Sequence, residues 1–503
     1  MRAVCAAALL FGAACGNFNS RADIARAAGQ AAAAGAETES AAGLPVAASA
    51  PIPGEASAGA SSDGGAGTAG AAAPTAAGVA GTGSSTGGAT NTASAAPTAG
   101  AAGTKAGSSG TKSGASAGPA TTAPPAAGKT TGPVQAAPAA ANTPVLMGHI
   151  GTYTGIVGHA FRNGLPMIQV AVRWINDNGG LNGHPIQLIT ADDRGDPARG
   201  LSLARQMVEQ DGVKAFFINL TPLSAEGPAQ YLDSKRIPVI GGDGLENTYF
   251  QHPMYFPQTG TPEGAPLGSI RSLVSIHGLK KIAILYCSEA AACTDPNSVL
   301  TDKVVAEQGG QLVYRAQISL AQPDFTAECL QARNNGAEAV LALTDTSSII
   351  RIGRSCKQQN YLPKYSGISL GLTNSLEGDP NMEGLIGPTS VFPWRATDTD
   401  LARLFQATIK QYGPANLEAD SVSSAVWAGA QLVRAAGKDL PAQPFPNDFL
   451  AGLYKVQNNT FGGLTPPLTF QEGKLPLKQR CYFLGEIVGE KWTAPQGSKV
   501  TCL

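Results

Sequence analysis

A serine flanked by glycines is the first feature of this sequence that could carry chemistry. Residues 367–371, GISLG, match the G-x-S-x-G pattern of the nucleophile elbow in α/β-hydrolases. That mechanism requires a histidine after the serine in chain order, whereas all 5 histidines precede Ser369. No Walker loop or G-x-G-x-x-G run is present in residues 143–503, and the one G-x-G-x-x-G match, at 65–70, lies in an Ala- and Gly-rich stretch. We therefore expect a binding protein and not an enzyme.

Paired acids and cysteines do not indicate a metal or another cofactor. Asp192 and Asp193 precede a helical pattern near Pro197, where Asp193 or Asp196 is suited to capping the helix. The sequence contains no C-x-x-C pair, and no histidine follows His277, so a zinc site is not predicted. We expect no cofactor.

The cysteines instead indicate disulfides. Of the 8 cysteines, Cys5 and Cys15 lie in a segment that resembles an export signal. In an exported domain, an even number of cysteines favours disulfide bonds, and the remaining six allow 15 pairings. Pairing of sequence neighbours is the simplest of these. It predicts the bonds Cys287–Cys293, Cys329–Cys356 and Cys481–Cys502.

The N-terminal part of the chain is predicted to export and tether the rest. Residues 1–20 are typical of a signal peptide, and the small residues before Cys15 resemble a bacterial lipoprotein processing site. Cleavage nearby without lipidation is the alternative. Residues 21–142 are nearly all Ala, Gly, Ser, Thr and Pro, which predicts a disordered linker because they cannot form a core. The net charge of -1, without a basic stripe, does not favour nucleic-acid binding.

The remaining residues alternate between strand-like and helix-like patterns. Such alternation predicts an α/β fold with parallel sheets covered by helices. The predicted strands are 145–150, 186–189, 215–220, 237–241, 281–286, 311–318 and 339–344, with a further short strand before Gly367. The predicted helices are 160–177, 198–210, 225–235, 264–277, 297–308, 324–336, 347–359, 399–411 and 419–436.

One stretch carries a family resemblance. Residues 171–197, AVRWINDNGGLNGHPIQLITADDRGDP, resemble the N-terminal lobe of type I periplasmic solute-binding proteins, the leucine/isoleucine/valine-binding group of ABC-transporter receptors. The segment 461–470 is also similar to the closing hairpin of that family. The resemblance implies two Rossmann-like lobes with parallel central sheets and a hinge of three crossovers. The expected boundaries are 143–262 plus 392–451 for the N-terminal lobe and 263–391 plus 452–503 for the C-terminal lobe.

The resemblance places a ligand between the lobes, beyond the carboxyl ends of the strands. The loop from Thr221 to Ser224 resembles the serine-bearing loop that grips a ligand carboxylate in the family, although Ser224 and Thr346 are also typical helix caps. Asp243 departs from the family, which usually has small residues there. The candidate ligand-binding residues are Tyr153, Thr221, Ser224, Gly242, Asp243, Tyr286, Glu289, Asp345, Thr346 and Ser369.

A second departure leaves the ligand open. Amino-acid receptors of this group commonly place a glutamate where this chain has Ser369 and Leu370. A buried ammonium group needs an anion, so Asp243, Glu289 or Asp345 would have to replace it, or the ligand is not a free α-amino acid.

The resemblance implies a receptor for a small polar ligand, such as an amino acid or an amide. We expect a lipid-anchored monomer outside the cell membrane that delivers its ligand to ABC permease and ATPase subunits. The alternative is a binding protein of the same fold that senses a ligand for signalling.

Overall fold

The computed structural model describes residues 142–503. The expected signal peptide, Cys15 and the linker as far as residue 141 lie outside the described residues.

The first lobe is built on a parallel sheet of five strands in the order β2-β1-β3-β4-β5. Its central strands read as apolar runs, which is typical of strands covered on both faces. All side chains of the strand AFFIN are buried, for example. The strands are β1 Val145–Gly151, β2 Ile186–Asp192, β3 Ala215–Asn219, β4 Val239–Gly242 and β5 Tyr255–Phe256.

Six helices belong to the first lobe. Asp196 caps α2 by accepting hydrogen bonds from the amides of Ala198 and Arg199, which is one of the two predicted caps. The last of the helices was not expected from the sequence. The helices are α1 Gly164–Asp177, α2 Pro197–Glu209, α3 Glu226–Lys235, α9 Asp400–Tyr412, α10 Ser421–Ala436 and α11 Pro446–Leu453.

The second lobe is built on a larger mixed sheet. Its parallel part has the order β10-β9-β8-β6-β7, and β11, β12 and β13 add antiparallel pairs. The strands are β6 Lys281–Cys287, β7 Gln311–Ile318, β8 Ala339–Leu343, β9 Lys364–Gly367, β10 Ile386–Thr389, β11 Cys481–Val488, β12 Lys491–Thr493 and β13 Thr501–Cys502.

Five helices cover the second sheet. The single helix predicted over 297–308 is wrong, because the chain forms two helices there and the side chain of Thr301 caps the second one. The helices are α4 Gly264–His277, α5 Ala291–Val299, α6 Asp302–Glu307, α7 Thr326–Asn334 and α8 Thr346–Gln358.

The chain passes between the two sheets three times, before α4, after β10 and before β11, as the predicted fold requires. The expected closing hairpin at 461–470 is reduced to one antiparallel bridge between Asn459 and Leu468. The hairpin that joins the second sheet is formed later in the chain, by β11 and β12. The exact lobe boundaries stay a prediction.

The three predicted disulfides are confirmed. Cys287 is bonded to Cys293, Cys329 to Cys356 and Cys481 to Cys502. No helix within residues 142–503 is both long enough and apolar enough to span a membrane.

Candidate functional site

A pocket lies between the lobes at the carboxyl ends of β3, β4 and β9. Its empty volume is about 270 Å³, part of which is open to solvent. Most of its lining is apolar, and no lysine, arginine or histidine contributes to it. The lining residues are Phe161, Leu220, Asp243, Leu245, Ser369, Leu370, Ser421, Val422 and Ala425.

Asp243 is the one acidic side chain of this lining. It follows β4 and is 6% exposed. Its carboxylate accepts hydrogen bonds from the amides of Thr221, at 2.6 Å, and Leu245, at 3.0 Å. Burial raises the pKa of Asp243 to about 7, and the charge of Asp193 acts in the same direction, whereas the two amides oppose it. Near neutral pH this carboxyl group is therefore poised between its two protonation states.

Asp193 is a second buried carboxylate on the same side of the pocket. It accepts hydrogen bonds from the hydroxyl of Thr152, at 2.7 Å, the hydroxyl of Ser224, at 2.5 Å, and the amide of Gly195, at 2.8 Å. These bonds join the loops that follow β1, β2 and β3. The first-lobe side of the pocket is thus fixed by carboxylates.

A residue of β3 with a left-handed backbone conformation lies just before the loop that reaches the pocket. Ile218 has a φ of 49°, which is strained for a β-branched residue. Its side chain fits only because Gly241 and Gly429 leave space, since an added Cβ on either would lie 3.0–3.2 Å from an Ile218 side-chain carbon. The side chain of Asn219 then accepts the Ile150 amide hydrogen bond at 3.0 Å. Leu220 reaches the pocket directly after this kink.

Tyr153 and Gly242 support the first-lobe side without lining the pocket. His149 uses Nδ1 toward the carbonyl of Phe217, at 3.0 Å, so the Tyr153 hydroxyl donates to its Nε2, at 2.5 Å. Burial lowers the pKa of His149 to about 4, which keeps the ring neutral. Gly242 is required because an added Cβ would meet the ring of Tyr249 at 2.3 Å.

The second-lobe side is a short 3-10 turn, Ser369–Gly371. It places the buried side chain of Leu370 against the first lobe. Thr346 holds this turn, because its hydroxyl donates to the carbonyl of Gly371 at 3.1 Å. Asp345 caps α8 through the amides of Ser347 and Ser348. Asp345 and Thr346 therefore support the turn and the start of α8, and they do not line the pocket.

Tyr286 and Glu289 lie apart from the pocket lining. Glu289 is exposed and accepts hydrogen bonds from the hydroxyl of Ser319, at 2.5 Å, and the amide of Leu320, at 3.0 Å. The hydroxyl of Tyr286 lies 3.5 Å from the side-chain oxygen of Gln317. Of the ten candidates, the structure brings Asp243 and Ser369 to the lining itself, with Thr221 hydrogen-bonded to Asp243.

Direct hydrogen bonds join the two lobes around the pocket. The Ser421 hydroxyl donates to the carbonyl of Ser369 at 2.7 Å. The Asn247 amide donates to the carboxylate of Asp295 at 2.8 Å. The side chain of Asn374 donates to the carbonyl of Ala419 at 2.8 Å.

Sequence reasoning missed the contribution of α10 to the pocket. Ser421 and Val422 lie in the first turn of this helix, which Asp420 caps in a capping box with Ser423. The capping pattern is visible in the sequence, but the position of this helix in the cleft depends on the return of the chain to the first lobe. Among residues 142–503, no group of three or more histidine, cysteine, aspartate or glutamate side chains could hold a metal ion.

Solved structures share the fold. A leucine-binding protein from Thermotoga maritima has 15% identity and a TM-score of 0.58, with 69% of this chain and 97% of that chain covered. A solute-binding protein of an ABC transporter from R. palustris, in complex with 4-hydroxybenzoate, has 17% identity and a TM-score of 0.57, covering 70% and 95%. A fatty acid ABC transporter substrate-binding protein from Thermomonospora curvata has 16% identity and a TM-score of 0.58, covering 72% and 91%.

Family membership comes from the sequence model of the family. No curated protein matches this chain. The model described as periplasmic binding protein matches residues 144–491, which is most of the chain and includes the first sheet and most of the second. The chain therefore belongs to the periplasmic binding protein family, as its sequence resemblance to the type I group predicted.

Proposed function

We propose that this protein is an extracytoplasmic receptor that binds a small solute between its lobes and delivers it to the permease and ATPase of an ABC importer. The observation that carries the proposal is the pocket, which both lobes line and which lies beside the crossovers of the chain. A ligand there touches both lobes only when they are closed, so its binding energy favours closure. Anchoring of a monomer through Cys15 is part of the same proposal.

The relatives support a solute receptor without fixing its ligand. The three solved structures described above are leucine-binding, 4-hydroxybenzoate-bound and fatty-acid-transporter proteins. They share the fold, and their ligands differ in chemistry. Specificity must therefore come from the side chains of each pocket.

A binding screen on the full chain tests the receptor. We would measure thermal shifts with amino acids, amides, amines and small carboxylates, and follow each hit by calorimetry and small-angle scattering. We expect a hit to raise the melting temperature and to reduce the radius of gyration. If no compound of any class binds, the receptor function is wrong.

A deletion strain tests the transport step. We expect loss of the gene to abolish uptake of the radiolabelled ligand, and wild-type chain supplied in trans to restore it. Normal uptake with a lost transcriptional response would contradict delivery to an importer and favour ligand sensing.

A further inference from the structure

On the first-lobe side of the pocket, the hydrogen-bond donors that could hold a ligand anion are already paired with acceptors of the protein itself. The amide of Thr221 donates to Asp243, and the hydroxyl of Ser224 donates to Asp193. The amides of Ser224 and Ala225 both donate to the carbonyl of Thr221, at 3.2 Å. A ligand carboxylate would have to displace one of the two buried carboxylates of the protein to reach these donors.

The charge around the pocket also opposes an anion. Four acidic residues near the pocket form no ion pair within residues 142–503. They are Asp193, Asp243, Glu246 and Asp295. Glu246 is 3% exposed, and its Oε1 has no hydrogen-bond partner. An ionised carboxyl that is buried without a cation is costly, and burial raises the pKa of both Asp243 and Glu246. A positive group on this side of the cleft would favour their ionised forms, whereas an anion would not.

The apolar lining defines the rest of the ligand. Phe161, Leu220 and Leu370 contribute to a surface that offers few hydrogen bonds to a sugar or another polyhydroxylated solute. The hydroxyl of Ser421, which belongs to this lining, already donates its hydrogen bond to the carbonyl of Ser369. The chemistry of this surface suits an apolar body.

We propose that the ligand is an apolar amine, with its ammonium group at Asp243, and not a carboxylate or a free α-amino acid. This inference rests on the proposed receptor function. An ionised carboxylate has about four lone-pair sites, and the amides of Thr221 and Leu245 use two of those of Asp243. The remaining lone-pair sites of Asp243 can accept hydrogen bonds from an ammonium group. Unlike a ligand carboxylate, an ammonium group is not repelled by the neighbouring acids.

The titration of Asp243 supports the same ligand. Its pKa of about 7 arises mainly from burial. The titratable groups coupled to Asp243 include Asp193 after β2 and Glu246 and Tyr249 after β4. Glu226 of α3 and, from the second lobe, Asp295 act in turn on Glu246. A bound ammonium group favours the ionised form, so affinity for an amine should fall as the pH drops below 7.

Matched ligands test the proposal by calorimetry on the full chain. The amines are isopentylamine and phenethylamine, and the carboxylates of the same skeletons are isocaproate and hydrocinnamate, with L-leucine as the amino acid. We expect the amines to bind at least about tenfold more tightly. Equal or tighter binding of a carboxylate or of L-leucine would overturn the amine inference and leave the receptor function standing. Failure of all probes, and of the wider screen, would overturn both.

Substitution and pH locate the amine. Asp243→Asn should weaken amine binding by about tenfold or more, whereas the surface control Asp439→Asn should not change it. Between pH 7 and 5.5 the wild-type chain should lose amine affinity by up to about tenfold per pH unit. Unchanged affinity in the Asp243→Asn protein would overturn the proposal. If the Asp243→Asn protein does not fold, the wild type provides the test. An amine affinity of the wild type that does not change with pH would overturn the proposal.

Discussion

The two sides of the cleft are held by different chemistry. On the first lobe, the loops after β1, β2, β3 and β4 are joined by hydrogen bonds to Asp193 and Asp243. The segments 143–262 and 392–451 contain no cysteine. On the second lobe, all three disulfides join neighbouring elements, and Cys287–Cys293 lies directly where β6 ends and α5 begins.

This difference separates the conditions to which each side responds. The buried carboxyl group of Asp243 responds to pH because folding changes its pKa. Disulfides respond to reduction and constrain the unfolded chain. We therefore expect the first-lobe side to be sensitive to pH and the second-lobe side to be sensitive to reductant.

Removal of the Cys329–Cys356 bond should have the largest effect. The bond closes a loop with a sequence separation of 27, so replacing both cysteines by alanine should lower the free energy of unfolding by about 3–4 kcal/mol. The matched variant without Cys287–Cys293, whose separation is 6, should lose about 2 kcal/mol. Urea denaturation measures both, and the reverse order would contradict the entropic explanation.

Leu370→Ala tests the contact between the two sides. Leu370 is 1% exposed and lies against first-lobe residues, so the substitution should cost about 2–3 kcal/mol and enlarge the pocket. Leu376→Ala removes a side chain of equal size from another buried position of the second lobe. Both should lower the melting temperature, but only Leu370→Ala should change ligand affinity in calorimetry. Equal effects on affinity would show that Leu370 is only a core residue.

Asp193→Asn tests the first-lobe network. An amide has one acceptor oxygen, so it cannot satisfy both the Thr152 and Ser224 hydroxyls as the carboxylate does. We expect a loss of about 2 kcal/mol in urea denaturation. Asp439→Asn, on the surface of the same lobe, is the control and should change stability by less than about 0.5 kcal/mol. A wild-type value for Asp193→Asn would mean that the network does not stabilise the lobe.

The fold was more predictable than the site. Strands such as β3 and β8 are continuous apolar runs, and the glycine turn and acidic loop of residues 171–197 carry the family resemblance. The cleft depends on contacts between distant segments. Asp243 was recognised because the family usually has small residues at that position, whereas the hydrogen-bond partners of Ser224 and the contact of Leu370 with the first lobe depend on packing. The kink at Ile218 has no local signal, because its space comes from Gly241 and Gly429.

Asp243 on the first lobe and Glu377 on the second lobe should affect the pH dependence of stability with opposite signs. Burial raises the pKa of Asp243 from 3.8 to about 7, so the folded state favours its protonated form. The stability that it contributes is complete below about pH 4 and is lost as the pH rises toward 7. For Glu377 on the second lobe, burial alone would raise the pKa, but hydrogen bonds from the Trp492 amide and Arg395 lower it. Its contribution is present above its unfolded pKa and is lost as the pH falls.

Asp243→Asn and Glu377→Gln should therefore change the pH profile in opposite directions. The stability of the wild type relative to Asp243→Asn should fall between pH 4 and 7, by at most about 1.4 kcal/mol per pH unit. The stability of the wild type relative to Glu377→Gln should fall only on acidification, and by less, because Glu377 is closer to solvent. Urea denaturation across this range measures both differences. If the two differences had the same sign, the opposite pKa shifts of Asp243 and Glu377 would be contradicted, because burial without a cation raises the pKa of a carboxyl group whereas hydrogen bonds to its ionised form lower it.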